Sequence, residues 1–261
     1  MKNFAANLSM LFTEYDFLDR FAKASQYGFS AVEYLFPFDY DAILLQKKLQ
    51  ENNLIQEIFN LYPGNWDKGD RGLAALAHRQ SEFDASLHQG LHYAQMLNCK
   101  KIHIMAGLIE TSTPYESYEE TYIANMQKAA DFFAPHKITL LIEPLNTYSM
   151  PNYFIAHQSQ GAELIQKINR SNVRLQFDLF HAQMMDGNIT QLLMKYQDII
   201  GHIQIASIPN RHEPHLEEIN FRYFYELIQS INYQGAIGLE YNPRTTTKDG
   251  LDDFCQYMEK F

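Results

Sequence analysis

Eight short runs rich in apolar and β-branched residues recur along the chain, separated by segments in which apolar residues have helical spacing. One such segment contains Tyr122, Met126, Ala129 and Phe133, which would lie on one face of a helix. Near-continuous apolar strands that alternate with helices are typical of a parallel sheet covered on both faces. The eight runs are NFAANL, AVEYLF, IQEIFNL, KIHIMA, ITLLIE, VRLQFD, HIQIA and AIGLEY.

Eight strand–helix units in a chain of 261 residues predict an α/β fold, a closed (β/α)8 or TIM barrel, as a single domain over residues 1–261. The main alternative is an open, doubly wound sheet. The sequence contains no glycine-rich turn of the dinucleotide-binding or phosphate-binding type, which removes the usual motifs of that alternative. The longest irregular stretch runs from Tyr62 to Leu76, and we interpret it as a candidate lid.

Composition and charge restrict the partners that the chain is expected to have. Hydrophobic residues make up 46% and charged residues 20%, and no apolar run approaches the roughly 20 residues that span a bilayer, so we expect a soluble protein with no membrane partner. The formal charge of −10 gives no general electrostatic reason for nucleic acid to bind. Two cysteines without a paired motif, and no secretion signal, predict a cytoplasmic protein. A homo-oligomer is left open.

Four oxygen-bearing side chains stand within or at the ends of the last four apolar runs: Glu143, Asp178, Gln204 and Glu240. Their spacing of roughly 30 residues matches one strand–helix unit of a barrel. All strands of such a barrel point the same way, so residues at their carboxyl ends converge on one mouth, where barrel enzymes place their active sites. We therefore predict that these four side chains come together.

A buried carboxylate is costly unless a charge partner accompanies it, and the predicted cluster contains three. A divalent cation would remove the repulsion between them, and hard oxygen ligands without thiolate favour Mg²⁺ or Mn²⁺. Taken singly, each acid is as compatible with a helix cap or an ion pair. The repetition of oxygen chemistry at matching positions of successive units favours the metal site.

Other polar residues of the predicted mouth are candidates for contacts with a substrate. His181 follows Asp178 by three residues, and a packed or capping histidine is its alternative interpretation. Arg211 lies just beyond the seventh strand, where its guanidinium would suit an anionic group. His103 lies within the run KIHIMA, and Arg71 lies in the candidate lid. Either of these two is equally compatible with a structural or a solvent-facing role.

Eight motifs between Phe4 and about Gly250 carry a family resemblance: FAANLSMLFTE, GFSAVEYLFPFDYD, RGLAAL, IHIMAG, FDLFHAQ, HIQIASIPNRHEP, EIN and YQGAIGLEY. In these motifs the whole chain resembles the hydroxypyruvate isomerase family of the xylose isomerase-like barrel superfamily. The resemblance implies a metal-dependent isomerase that acts on small anionic hydroxy-oxo acids. It also implies that the metal ligands are Glu143, Asp178, Gln204 and Glu240, and that His181 and Arg211 contact the substrate.

The sequence departs from the family pattern near the predicted mouth. Asn242 stands where the family usually has lysine, Glu217 where it usually has glycine, and Ala77 and His78 replace a customary proline and glycine. None of these changes affects the predicted ligands. Residues around the mouth select chain length and carboxylate position, so they bear on the substrate.

The predicted reaction interconverts hydroxypyruvate and tartronate semialdehyde (2-hydroxy-3-oxopropanoate) through an enediolate. Glu143 and Glu240 would transfer protons at the two adjacent carbons. The alternatives are a 2-oxo-tetronate isomerase, a ketose 3-epimerase, a metal-dependent nuclease and a non-catalytic barrel that binds a sugar acid. Gln204 argues against the epimerase, because the resemblance implies histidine at that ligand in sugar epimerases.

Overall fold

The computed structural model of the protein describes residues 1 and 3–260. Eight parallel strands pair in chain order, and the last pairs with the first, so the sheet closes into a barrel. The predicted TIM barrel is confirmed, and each of the eight apolar runs overlaps one strand. The strands are β1 (Phe4–Asn7), β2 (Ala31–Tyr34), β3 (Ile55–Asn60), β4 (Lys101–His103), β5 (Thr139–Ile142), β6 (Val173–Asp178), β7 (Ile200–Ile205) and β8 (Ile237–Leu239).

Helices separate successive strands and form the outer layer. Two short helices, α6 and α7, connect β6 to β7, whereas one α-helix serves each other connection. None of the helices in the described part of the chain is long and apolar enough to cross a membrane. The helices are α1 (Phe17–Gln26), α2 (Ala42–Glu51), α3 (Gln80–Met96), α4 (Tyr115–Phe133), α5 (Gln158–Ile168), α6 (Leu179–Met185), α7 (Ile189–Tyr196), α8 (Phe221–Ser230) and α9 (Thr247–Met258).

The apolar core lies between the barrel and the helices. In α4, the predicted stripe of Tyr122, Met126, Ala129 and Phe133 is completely buried. Side chains of a strand alternate between the two faces of the sheet, so the outward-facing residues of the strands meet such helix stripes. Ile102 of β4, which is completely buried, belongs to this core.

The inside of the barrel is polar, which differs from the branched aliphatic layers usual in this fold. Gln204 of β7 is in register with Asp178 of β6 and with Gly238 of β8, so the three positions share one face of the sheet. Asn7 and Glu33 are in register on β1 and β2 in the same way. The side chains at these positions, apart from Gly238, which has none, are each at least 97% buried. Polar groups therefore fill the barrel immediately beneath its mouth.

The segment from Tyr62 to Leu76 is held by its own hydrogen bonds and by a contact with the loop after β4. The side chain of Asn65 caps a short 3-10 helix, Trp66–Lys68. Gly72 forms an antiparallel bridge with Ala106, and a Cβ at Gly72 would lie 2.3 Å from the carbonyl oxygen of Met105. The carboxyl end of the segment is therefore fixed by this close approach. Closure of the rest as a lid stays a prediction.

Because Gly238 has no side chain, the buried side chains of Glu33 and Gln204 can pack against its backbone. A Cβ on Gly238 would lie 2.5 Å from one carboxylate oxygen of Glu33 and 2.8 Å from Cγ of Gln204. We expect Gly238→Ala to lower the free energy of unfolding by about 1–3 kcal/mol, because a methyl group at this position would overlap Glu33 and Gln204. Urea denaturation measures the change. An unaltered unfolding midpoint would contradict this close packing.

Candidate active site

The carboxyl ends of β5 to β8 converge as the sequence predicted. Glu143 follows β5, Asp178 ends β6, Gln204 lies near the end of β7 and Glu240 follows β8. All four side chains are buried in the mouth of the barrel. A cavity of about 140 Å³ opens beside them, lined by Glu143, Glu240, His103, His181, Arg211 and Asn60 together with an apolar wall that includes Trp66 and Met105.

Glu143 has one oxygen beside a histidine and one with no protein partner. Its Oε2 lies 3.3 Å from Nδ1 of His103. Its buried Oε1 has no hydrogen-bond partner among the residues that the structure describes. Burial raises the pKa of Glu143 well above its usual value, and the nearby charges of Glu240 and Asp178 raise it further. The Arg211 guanidinium opposes these shifts, but Glu143 forms no ion pair with a lysine or arginine in the described structure.

Asp178 and Glu240 share a single guanidinium group. Nη2 of Arg211 lies 3.0 Å from Oδ2 of Asp178 and 3.1 Å from Oε2 of Glu240. Burial raises the pKa of Glu240 to about 8 although Arg211 opposes the shift, and the pKa of Asp178 is also raised by burial. The other oxygen of Asp178 accepts a hydrogen bond of 2.8 Å from the backbone of Phe180 and so caps α6. The single positive charge of Arg211 is thus shared between two buried carboxylates.

The loop after β7 holds Arg211 firmly over the mouth. Arg211 has a positive φ of 58°, a region in which most residues are strained. Its carbonyl oxygen accepts a hydrogen bond of 2.8 Å from the amide of Asn242, and its amide donates to Ser207. Glu217, also at positive φ, accepts hydrogen bonds from Ser207 and Asn210. The Glu217 side chain therefore stabilises the loop that places Arg211, whereas Asn242 contacts Arg211 through its backbone, a contact that does not depend on its side chain.

His181 is a neutral hydrogen-bond donor. Its Nδ1 lies 3.0 Å from the backbone nitrogen of Asn146, which can only donate, so Nδ1 accepts and the ring proton is on Nε2. Burial lowers the pKa of His181 well below its usual value, and the nearby charge of Arg211 lowers it further. Nε2 lies 3.5 Å from Oδ2 of Asp178, on the cavity side.

His103 lines the same cavity, whereas Arg71 does not. Nδ1 of His103 lies 3.2 Å from the side-chain oxygen of Asn60, and burial lowers the pKa of His103 to about 3. Its Nε2 has no hydrogen-bond partner within the described chain. The guanidinium of Arg71 stacks 3.8 Å from the ring of Trp66 and donates to two backbone carbonyls. Arg71 therefore contacts Trp66, a residue of the cavity wall, without lining the cavity itself.

The sequence interpretation missed a buried acid beneath Gln204. Oε1 of Glu33 accepts hydrogen bonds of 2.8 Å from Gln204 and 3.1 Å from Asn7. Burial raises the pKa of Glu33 to about 7, and these hydrogen bonds oppose that shift. The signal was present, because Glu33 interrupts an apolar run as Glu143 does, and Asn7 and Asn60 end their strands.

The group of acids fits a divalent cation. Three buried carboxylates face one guanidinium, Glu143 Oε1 is unpartnered among the described residues, and the raised pKa values have burial as their main cause. Ligand atoms of Glu143, Asp178 and His181 lie within 4.8 Å of one another. His181 would have to lose its Nε2 proton to ligate through that atom, since Nδ1 already accepts a hydrogen bond. The oxygen donors are therefore the better ligands, and hard cations prefer them.

A family model described as xylose isomerase-like TIM barrel matches residues 21–260. The chain belongs to this family. It is 47% identical over 260 residues to the 2-oxo-tetronate isomerase of Pectobacterium atrosepticum, covering 100% of this chain and 99% of that one. It is 40% identical over 251 residues to the hydroxypyruvate isomerase of Escherichia coli, covering 96% and 97%. The predicted family and the class of enzyme, an isomerase of the aldose–ketose type, are confirmed by these relatives.

Solved structures support the fold of this xylose isomerase-like barrel. A Brucella melitensis structure described as an AP endonuclease of family 2 superposes with a TM-score of 0.96 at 47% identity, covering 98% of this chain and 99% of that one. A D-allulose 3-epimerase from a Methylomonas species superposes with a TM-score of 0.79 at 16% identity, covering 100% and 98%. At that identity the second similarity concerns the fold alone.

Proposed function

We propose that the protein is a metal-dependent isomerase that moves the carbonyl group between C2 and C3 of a short 2-oxo acid with a hydroxyl group on C3. The observation that carries this proposal is that Glu143 and Glu240 line one cavity together with Arg211 and His181. Two carboxylates provide for proton removal at one carbon and proton delivery at the next. An arginine provides for the carboxylate of the substrate.

The residues that would hold the metal are Glu143, Asp178, Gln204 and Glu240, which form an all-oxygen set suited to Mg²⁺ or Mn²⁺. A bound divalent cation would supply Lewis-acid stabilisation of negative charge on neighbouring substrate oxygens. The same residues lie against the polar interior of the barrel, so their side chains have little freedom to move.

The two glutamates are the proposed acid and base. One carboxylate removes the proton from C3 of the 2-oxo acid, the electron pair forms the C2–C3 double bond of an enediolate, and the other carboxyl group delivers a proton to C2. The proton of the C3 hydroxyl leaves and a proton reaches the C2 oxygen, so the carbonyl has moved and the formula is unchanged. Burial of Glu143 and Glu240 keeps water from competing for these protons.

His181 would orient the substrate without exchanging its own proton. Its Nδ1 accepts from the Asn146 backbone, so loss of the Nε2 proton would leave an unfavourable imidazolate anion. Nε2 can therefore donate a hydrogen bond to a substrate oxygen on which charge develops. This assigns to His181 a hydrogen-bonding role, with proton transfer left to the glutamates.

Arg211 would bind the substrate carboxylate. Its buried Nε has no hydrogen-bond partner in the described part of the chain, while Nη2 faces Asp178 and Glu240. Nη2 of the guanidinium thus contacts the two acids, and Nε remains available to donate to an anion. Phe180 lies beneath the guanidinium at 5.0 Å and limits its movement.

Two observations favour the four-carbon 2-oxo-tetronate over the predicted three-carbon hydroxypyruvate. The cavity wall contains Asn60 and an unpartnered His103 Nε2 in the described structure, which would meet an additional hydroxyl group. Relatives from Pectobacterium atrosepticum and Cupriavidus necator named 2-oxo-tetronate isomerase are 47% and 43% identical to the chain, and the Escherichia coli hydroxypyruvate isomerase is 40% identical. Both acids have the same reacting carbons, so hydroxypyruvate is the second candidate.

The remaining alternatives have less support. An epimerase would leave the carbonyl in place, and the resemblance implies a histidine where this chain has Gln204. A DNA nuclease is disfavoured by the net charge of −10, although one similar structure has an endonuclease name. A barrel that only binds a sugar acid would not need two carboxylates facing one cavity.

The substrate proposal is tested by kcat/KM for 2-oxo-tetronate and hydroxypyruvate with Mn²⁺-loaded protein. We expect the four-carbon acid to be preferred about five- to tenfold, since one additional hydrogen bond contributes about 1–1.5 kcal/mol. His103→Leu removes the proposed contact and should reduce that preference. A preference for hydroxypyruvate would reverse the order of the two candidates, and turnover of neither acid by folded, metal-loaded protein would contradict the isomerase proposal.

A further inference from the structure

The carboxylate of Glu33 lies directly below Gln204, outside the set of proposed ligands. Glu33 is 1% exposed and accepts three hydrogen bonds. Its Oε1 accepts from Gln204 Nε2 at 2.8 Å and from Asn7 Nδ2 at 3.1 Å, and its Oε2 lies 2.8 Å from Nε2 of His202. Because a carboxylate only accepts, the ring proton of His202 is on Nε2.

This arrangement determines which atom of the Gln204 amide is available to a cation. A glutamine side chain can present either its oxygen or its NH2 group, and only the oxygen binds a hard cation. Glu33 requires the NH2 group of Gln204 to point down toward it. The Gln176 amide is consistent with this orientation, because its Nε2 donates to Gln204 Oε1 at 2.6 Å. The reversed amide would place oxygen against oxygen and NH2 against NH2.

The same amide borders a small hollow between the acids. That hollow is lined by Gln204, Glu33, Glu143 and Glu240, among others. Gly238 makes the arrangement feasible, since any larger residue there would collide with both Glu33 and Gln204. The Gln204 oxygen accepts one hydrogen bond from Gln176 and retains a second lone pair.

We propose that Glu33 is a positioning residue that fixes the Gln204 amide so that its oxygen, and not its nitrogen, belongs to the cation-binding set. This inference rests on the metal site of the proposed function but not on the reaction. Partners that orient a ligand typically change metal affinity by about 10–100-fold when they are removed. Glu33 would act through Gln204 without touching the substrate.

The first test is the affinity of the purified protein for Mn²⁺ in the absence of substrate, measured by isothermal titration calorimetry. Glu33→Gln keeps the shape of the side chain but can present NH2 as well as oxygen to Gln204. We expect it to weaken Mn²⁺ binding by about tenfold or more. Glu57→Gln is the matched control, because it also removes a carboxylate of the barrel, one that is paired with Lys101. The control should retain the wild-type affinity.

The second test exchanges the two side chains. The double variant Glu33→Gln with Gln204→Glu places an amide at position 33 and a carboxylate at position 204. The NH2 group at position 33 can then donate a hydrogen bond to the carboxylate at position 204. This double variant should bind Mn²⁺ more tightly than Glu33→Gln, and it should be more stable than Gln204→Glu alone, in which two buried carboxylates face each other. The stability comparison applies even if Glu33→Gln does not fold.

The outcomes separate this inference from the proposed function. Equal losses of affinity in Glu33→Gln and Glu57→Gln would mean that Glu33 contributes only charge, and this would overturn the positioning role. A double variant no better than the single ones would overturn it as well. No Mn²⁺ binding by the wild-type protein would contradict both proposals. Mn²⁺ binding without isomerisation would contradict the reaction and leave the role of Glu33 measurable.

Discussion

Glu143→Gln and Glu240→Gln should each lower kcat by about 10²–10⁴-fold, the usual contribution of a positioned acid or base. Glutamine keeps the shape of each side chain but can neither remove nor deliver a proton. Glu143 and Glu240 face one cavity, so each single replacement should interrupt the transfer between C2 and C3. Isomerisation of 2-oxo-tetronate, followed by proton NMR, measures the loss.

Metal affinity must be measured in the same variants, because Glu143 and Glu240 are also proposed ligands. The informative comparison is made at saturating Mn²⁺, where weaker binding no longer limits the rate. Glu57→Gln, which changes a carboxylate paired with Lys101, should keep its activity. Wild-type activity in both glutamate variants under these conditions would exclude them as the acid and the base.

Arg211→Ala should raise KM by about 10–100-fold, because a charge-assisted hydrogen bond to a carboxylate contributes about 1.5–3 kcal/mol. It should also lower stability, since Asp178 and Glu240 would lose the guanidinium that lies 3.0 and 3.1 Å from them. Steady-state kinetics at saturating metal, together with urea denaturation, measure the two effects.

Arg211→Lys is the matched variant for this prediction. Lysine keeps the positive charge near Asp178 and Glu240 but loses the planar fork that binds a carboxylate. We therefore expect it to recover much of the stability while KM remains high. A KM unchanged in Arg211→Ala would place the substrate carboxylate elsewhere in the cavity.

The fold was predictable because short apolar runs alternate along the sequence with segments in which apolar residues have helical spacing. The position of the site was predictable for a related reason. Once all strands are parallel, any polar residue at a carboxyl end must reach the same mouth, and Glu143, Asp178, Gln204 and Glu240 do so. Their roles as ligands, acid and base are proposals that the geometry supports.

The hydrogen-bond partners of the polar side chains were less predictable from the sequence than the places of those side chains on the strands. Glu33 lies one residue before the end of β2, and its importance depends on its contact with Gln204, which is 171 residues away in the chain. Arg71 lies in an irregular segment where no periodicity restricts its direction, and it stacks on Trp66, a residue of the cavity wall, without lining the cavity itself. The sequence named it as a substrate contact, and the geometry gives that role no direct support.

Bound metal and the paired glutamates together move the carbonyl group in the proposed reaction. A proton NMR time course in D₂O of metal-stripped protein with 2-oxo-tetronate or hydroxypyruvate, before and after Mg²⁺ or Mn²⁺ is added, tests this proposal. We predict no change without metal, and with metal the appearance of the isomer with its carbonyl on the adjacent carbon. Product formed equally without metal, or no product from either acid when metal is bound, would contradict metal-dependent isomerisation.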